Sequence, residues 1–436
     1  MSLAKSAVQG ALPERSVAPE TTFFSTPLSQ LDDVVAEHIS SDAEREQRSI
    51  NLIASASYSP LALRQAEGSH LVNKNASGWV GRRSVANCEN VDAIERMAIE
   101  RAQRIFGGEA VNVQALSATL ANVAVLRAVL KPGDRLLAFG ERAGGHISHG
   151  PPGHLSGMGL EVTAFGVGSG DVIDLDEVRR TALELRPKMI VAGATSYPRT
   201  IDFLGLRQIA DECGALLFAD IAHVAGLIAT GLHPNPVPFA DVATSSTQKT
   251  LCGPRNGAFV FSRAIHARAI DEAIYPGMQG PAPVHIIAAR AIQLELVRRP
   301  EFKSLMLRVL ANAKALCDGL SEAGAPLYTG GTDTHMVVAD ARSTSWKPKE
   351  LIATFGAYGI LANAVGLPVR KGDAGSSGFR IGTVAMSIRG FGVSEFRELG
   401  TLIGQVIKRG PDASTDESVR KRFSAMALAH PAPSFV

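Results

Sequence analysis

The chain has 436 residues, 45% apolar and 20% charged, with 44 Lys and Arg against 42 Asp and Glu. That is ordinary globular composition, long enough for two or three domains. A net charge of +2 gives no reason to expect nucleic acid or an anionic membrane as principal partner. The four cysteines, Cys88, Cys213, Cys252 and Cys317, show neither CxxC nor zinc spacing, so neither a disulfide framework nor a metal site is expected. No stretch approaches a membrane span, and Met1–Glu20 lacks the apolar core of a signal peptide. A cytoplasmic protein is the expectation.

Met1 to Thr26 is rich in Ser, Ala and Pro and reads as an arm, disordered or laid on a partner subunit. Ser29-Gln30-Leu31-Asp32 resembles a capping box, and Val34, Val35 and Ile39 carry a helix to about Arg48. Ile50–Ala54 is a short apolar run that stops at Ser55. Asn73–Glu89 is polar and irregular, with Trp79, Arg82 and Arg83 inside it; a loop of that length is more often functional than idle. Val91–Phe106 is helical, and Gly107-Gly108 stops it. Val111–Gln114 leads into Ser117-Ala118-Thr119. Ala121, Val125, Leu126, Val129 and Leu130 then repeat as a helix, which Lys131-Pro132-Gly133-Asp134 ends. Small hydroxyl residues at such a start serve as a plain N-cap or as a phosphate cradle, since free N–H groups and the helix dipole favour an anion.

Arg135–Phe139 is a strand, and the loop Ala143–Gly150 after it carries His146 and His149. A histidine there either stacks on a cofactor ring or stays solvated. Strands at Glu161–Val167 and Met189–Ala194 alternate with helices at Leu175–Leu185 and Leu204–Gly214, where Cys213 reads as packing. Such alternation implies βαβ units and a mostly parallel sheet. The apolar run Ala215–Ala219 ends at Asp220, with His223 close behind, and Ala240–Thr244 leads into Gln248-Lys249-Thr250. Ligands of open α/β sheets sit at the carboxyl ends of the strands. One Asp, one His and one Lys there suit pyridoxal phosphate (PLP): the lysine amine bonds the cofactor aldehyde, and a carboxylate keeps the pyridine nitrogen protonated. A strand-end Asp capping a helix and a surface Lys are the plain alternative, and spacing alone favours it.

Beyond Lys249 the pattern changes. Gly257–Ser262 is a strand and Ala264–Ala273 a helix. Gly277–Pro281 is a turn-rich loop, and Val284–Arg298 and Phe302–Ala323 are long amphipathic helices. Pro300-Glu301 divides them and marks a boundary. The expected division is an arm and helix over 1–60, a cofactor-binding large domain over 61–300 and a smaller α+β domain over 301–436. In the last, short strands near His335–Ala339, Ile360–Ala362 and Gly378–Thr383 lie between helices, and Val393–Lys408 and Ser418–Ala429 close the chain.

Several stretches together resemble the serine hydroxymethyltransferase family: Ile53-Ala54-Ser55, Asn73-Lys74, Gly144-Gly145-His146 with His149-Gly150, Asp220-Ile221-Ala222-His223-Val224-Ala225-Gly226-Leu227, Lys249-Thr250-Leu251, Gly253-Pro254-Arg255, Gly330-Gly331-Thr332-Asp333 and Arg380-Ile381-Gly382-Thr383. The matches run in order from about residue 24 to 430. The resemblance implies an α/β fold type I PLP-dependent transferase, like aspartate aminotransferase, with a mostly parallel large domain and a smaller α+β domain. It also implies a homodimer with shared active sites, alone or paired into a tetramer. Carried over by position, Lys249 would hold the cofactor covalently, Asp220 would face the pyridine nitrogen and His146 would stack on the ring. His223 and Thr195 would bond the phenolic oxygen. Ser117, Ala118 and Thr119 would cradle the phosphate beside Gln248, with Gly280 of the other subunit. Ser55 and Arg380 would take the substrate carboxylate, which a guanidinium fork suits.

The departures cluster. The family's substrate-loop glutamate is Ser77 here, its two tyrosines are Asn75 and Val85, and the histidine before its lysine is Gln248. The family's His-Ser-Gly-Ser segment is Leu116-Ser117-Ala118-Thr119. Lys371–Ser377 lacks the Ser-Pro-Phe found beside the folate ring. Serine is no carboxylic acid near neutral pH, and valine does not titrate. Trp79 and Arg83 either line a new pocket or fill the space the tyrosines leave. The expected substrates are a β-hydroxy amino acid, threonine or serine, and an aldehyde, with Cα–Cβ chemistry of the aldolase or transaldolase kind that needs no folate. His149, His223 or a water would move the proton, and Asn75 and Ser77 would border the substrate. Tetrahydrofolate-dependent transfer from serine or α-methylserine is the alternative, and a non-catalytic PLP-binding dimer is a third.

Overall fold

A computed structural model describes residues 23–410 and 416–433. Most of the expected arm lies outside them. The chain forms two compact units, Met1–Arg48 and Ser49–Val436. In the first, the helix Asp33–Arg48 follows a single turn at Leu28–Leu31. Asp32 Oδ1 accepts from Val35 N, so the long helix begins there and not at Ser29. None of its residues is buried within its own unit.

The second unit holds the strands. In chain order they are β1 (Ile50–Asn51), β2 (Gly78–Trp79), β3 (Arg82–Arg83), β4 (Ala110–Asn112), β5 (Arg135–Phe139), β6 (Glu161–Phe165), β7 (Met189–Gly193), β8 (Leu216–Asp220), β9 (Val242–Ser246), β10 (Ala258–Ser262), β11 (Met336–Asp340), β12 (Ile360–Leu361), β13 (Asn363–Gly366) and β14 (Ser377–Gly382). Seven of them form one sheet in the order β4-β10-β9-β8-β7-β5-β6. The five from β6 to β9 pair parallel, and β10 and β4 close that edge antiparallel. Val111–Gln114, which the sequence offers only as a lead-in, therefore contributes an edge strand.

The central strands are apolar on both faces because helices cover both. On β5, Leu137 and Phe139 join one core cluster and Leu136 and Ala138 another; on β7, Ile190 and Ala192 part from Met189 and Val191 in the same way. This is period-2 alternation with two buried faces, the signature of a doubly covered parallel sheet. Strand order reverses at β5, which lies between β6 and β7. The loops after β5 and β7 therefore diverge, and a crevice opens at their carboxyl ends.

The order β11-β14-β13 forms a second, antiparallel sheet, and β1 pairs parallel with β12. Both belong to one core with the helices Pro300–Glu322 and Val393–Arg409. At the crossing of these helices a Cβ on Gly319 would stand 2.0 Å from Arg397 O, so only glycine permits the approach. The helix Pro300–Glu322 has proline in its first turn, the position where the missing N–H costs nothing. The sequence does not announce the helices Leu61–Glu67, Ala225–Ala229, Pro348–Ala357 and Val384–Ile388; each is too short to establish a period. No helix among the described residues is long and apolar enough to cross a membrane.

Candidate active site

The carboxyl ends of β5, β7, β8 and β9 enclose a cavity of about 500 Å³, its mouth included. Its walls are Ser117, Ala118, Thr119, His146, Ala194, Thr195, Asp220, Ala222, His223, Ser246, Gln248 and Lys249. Each wall residue follows from local structure. Ser117 caps the helix Ala118–Val129, its hydroxyl accepting from Leu120 N, while the other first-turn N–H groups have no intrahelical acceptor. Both sequence readings of Ser117 are thus compatible, since the cap uses its side chain and leaves backbone donors at the cavity. Behind the segment, fully buried Arg290 donates to the carbonyls of Val113, Ala115 and Asn256. The turn after β5 packs so tightly that a Cβ on Gly145 would lie 2.0 Å from Phe139 O. That closeness folds His146 back over the strand ends.

Asp220 ends β8. Its Oδ2 accepts from Asn122 Nδ2 at 2.8 Å and from His149 Nε2 at 3.0 Å, and its Oδ1 accepts from Ala222 N at 3.0 Å. Burial opposes its charge, but the hydrogen bond that His149 donates, with the charge of Lys249, outweighs burial and holds the carboxyl below the ordinary aspartate range. His149 is 1% exposed, and its Nδ1 accepts from His146 N at 3.3 Å. Both ring nitrogens of His149 are spent on protein, and it does not line the cavity. His146 does line it. Burial, only partly offset by Asp220, brings the His146 imidazole down to about 4, so the ring is neutral at pH 7. Its Nδ1 accepts from Ser148 N.

Lys249 follows β9. Burial lowers its ammonium from 10.5 to about 8, with Asp220 working against that shift and Arg380 adding to it. His223 lies opposite, and burial followed by the charge of Lys249 takes it well below 6.5. Arg380, on β14, is 7% exposed. It donates to Thr195 O at 2.8 Å and to Asn363 Oδ1 at 2.6 Å. Its Nε has no hydrogen-bond partner among the described residues, and neither has Gln248 Oε1. Nor does a carboxylate stand within ion-pair distance of Arg380 among them. Burial alone lowers its guanidinium to about 10.

Other candidates lie elsewhere. Ser55 is half-buried next to Ala54 and does not line the cavity. Asn75 is exposed, and its Oδ1 accepts from Ser77 Oγ at 2.9 Å. Gly280 is exposed, with open space where a Cβ would project. None of Asn75, Ser77 and Gly280 lines the cavity of its own chain. Arg83 is engaged in structure: it pairs with Asp92 at 2.7 Å and Glu95 at 2.5 Å and donates to the carbonyls of Ala76 and Gly78. Trp79 packs edge-on against Tyr275 with ring centroids 5.9 Å apart. The sequence reading passed over Asn122, Asn363 and His335. Asn122 is a signal in retrospect, one amide inside the apolar run Ala121–Leu126, where a buried polar group needs a specific partner.

These residues fit PLP. Free backbone donors at a helix start suit its phosphate, and an ionised Asp220 suits a protonated pyridine nitrogen. An amine titrating near 8 is available to the aldehyde, and neutral His146 offers a ring face. Arg380, a buried cation lacking an anionic partner, suits a substrate carboxylate. A family model described as serine hydroxymethyltransferase matches residues 28–403, a span that takes in every wall residue and Arg380. Members of that family are fold type I PLP-dependent transferases that act at the Cα–Cβ bond of amino acids. With a match over most of its length, the chain belongs to the serine hydroxymethyltransferase family.

Proposed function

We propose that the protein is a folate-independent aldolase or transaldolase, converting threonine or a similar β-hydroxy amino acid to glycine and an aldehyde, or passing the glycine unit to a second aldehyde. The observation that carries this reading is the lack of a spare acid. Among the described residues Asp220 is the one carboxylate on the cavity wall, and three protein hydrogen bonds occupy it. Ser77, at the position of the family's glutamate, spends its hydroxyl on Asn75. Folate-linked transfer needs proton handling that the wall built by one chain does not offer.

Bound PLP supplies an electron sink for the charge developing at Cα. The remaining work falls to the chain. Arg380 holds the amino acid by its carboxylate and so orients the Cα–Cβ bond. Asp220 keeps a proton on a basic ring nitrogen beside it. Lys249 Nζ, titrating at about 8, exchanges a proton near neutral pH without help from a carboxylic acid. The reading also has Asn75, Ser77 and Gly280, which do not line the cavity of their own chain, reach a cavity from a second copy, in a homodimer with shared sites. We place the division between large and small domains at Pro300, where one long helix ends and the next begins.

Glycine formation from L-threonine and from L-serine, each with and without tetrahydrofolate, tests the proposal. Glycine plus acetaldehyde from threonine, indifferent to folate, is the expected result. Glycine from serine only when folate is present would instead establish hydroxymethyl transfer.

A further inference from the structure

His335 is fully buried just ahead of β11. Its backbone is pinned, since its carbonyl accepts from both Thr383 N (3.0 Å) and Thr383 Oγ1 (3.1 Å). Its ring Nε2 stands 3.1 Å from Ala54 O and 3.4 Å from His223 Nδ1. The two imidazole planes are 18° apart. Its Nδ1 is buried with no partner among the described residues.

We infer that His335 is the positioning residue that fixes the tautomer of His223, so that His223 presents a permanent Nε2–H donor to the cavity and takes no part in proton transfer. A carbonyl oxygen only accepts, so the contact with Ala54 O requires a proton on His335 Nε2. A second proton on His223 Nδ1 would then set two N–H groups against each other. His223 Nδ1 is therefore a lone pair, sharing the proton of His335, and the single proton of neutral His223 sits on Nε2. The empty Nδ1 of His335 agrees: a buried lone pair without a partner is tolerated better than a buried N–H without one. Lys249 and Arg380 close to both rings oppose a second proton on either. Being already protonated at Nε2, His223 accepts nothing from the cavity. Giving that proton up would leave an imidazolate. The inference rests on reading the cavity as the PLP site only in its last consequence, that the ring atom facing His223 is an acceptor such as a phenolate oxygen.

Neutron diffraction on deuterium-exchanged crystals of the full chain, with and without PLP, locates the protons directly. The expected result is deuterium on Nε2 of both His223 and His335 and none on either Nδ1. Deuterium on His223 Nδ1 overturns the inference. PLP affinity of two variants supplies an independent readout. His335→Gln keeps an N–H where Nε2 stood and is expected to stay within about threefold of wild type. His335→Asn does not reach and is expected to weaken binding by about tenfold, the worth of one hydrogen bond. Equal weakening in both variants also overturns it, because that pattern reports packing alone. Failure of the wild type to bind PLP would sink the cofactor reading, while the deuterium positions would still decide this one.

Discussion

Replacing Arg380 by methionine is expected to separate activity from stability. The guanidinium is 7% exposed and has only neutral partners, Thr195 O and Asn363 Oδ1. Burial takes it from 12.5 to about 10, and at about 1.4 kcal/mol per unit the folded protein bears roughly 3 kcal/mol for keeping the charge. The sign follows from linkage: a cation with a depressed folded pKa destabilises the fold at every pH below that value, and the penalty fades as pH rises toward 12.5. Methionine removes the penalty. It also removes two hydrogen bonds and leaves two acceptors short, at about 1–3 kcal/mol each. The two sides largely offset each other, so denaturant unfolding of the cofactor-free protein is expected to shift by no more than about 3 kcal/mol. Activity has no such compensation. Charge-assisted bonds to a substrate carboxylate are worth about 1.5–3 kcal/mol each, so losing a bidentate pair lowers kcat/KM for threonine by about 10²–10⁴. Threoninamide, which lacks the anion, is the control. Wild type should prefer threonine strongly, and Arg380→Met should lose the preference. A variant that keeps the preference, or one that unfolds more than about 3 kcal/mol more easily, would refute the assignment of Arg380 to the carboxylate.

Lys249→Ala is expected to abolish the visible absorbance of bound cofactor together with turnover; normal activity in that variant would overturn the cofactor assignment. Between about 8 and 10.5 the unfolded chain holds more of the Lys249 proton than the folded one, so stability of the cofactor-free protein should rise with pH over that window. Lys249→Met should flatten the rise, as urea melts at stepped pH would record. At the acid end, burial holds His146 at about 4 and His335 at about 3, against 6.5. Each therefore removes about 1.4 kcal/mol of stability per pH unit as pH falls from 6.5 toward those values, and His335→Gln should shallow the acid limb. Arg83→Met strands Glu95, whose side chain is 3% exposed. A loss of about 3–5 kcal/mol is expected, and unchanged stability would refute its structural role.

The sheet was legible because parallel strands buried on two faces read as apolar runs, and βα alternation leaves few topologies. Asp220 and Lys249 were legible for a related reason: each interrupts or follows such a run at its carboxyl end. Residues that act through a partner distant in sequence were not legible. Asn122 meets Asp220 across 98 positions and His335 meets His223 across 112, separations at which spacing carries no signal. The loop from Asn73 to Glu89 leaves two readings open in the sequence. Its Trp79 and Arg83 read equally as a pocket or as filling, and only the fold shows Arg83 tied to Asp92 and Glu95 on the next helix. His149 illustrates the remaining difficulty. Its place in a cofactor loop marks it for chemistry, but only the fold reveals that both of its ring nitrogens face protein.

The pattern of satisfied and unsatisfied groups sorts the site by role. Asp220 has its hydrogen bonds supplied by three different segments, so its charge and direction are set before any ligand arrives. A carboxylate with that support cannot also trade protons, which is why it suits holding a proton on a ring and not delivering one. Arg380 and Gln248 are the reverse, each buried or half-buried with a polar atom left over. Unpaired polar atoms at depth are costly, and where one lies at a cavity a ligand can supply the missing partner. His335 Nδ1 is also left over, yet it lines no part of the cavity. That orphan is accounted for by its other nitrogen, which must keep a proton for His223. Gln248 on the wall and Arg380, bonded to the wall residue Thr195, mark where a ligand goes, and His335 behind His223 marks what the ligand's neighbours must hold fixed.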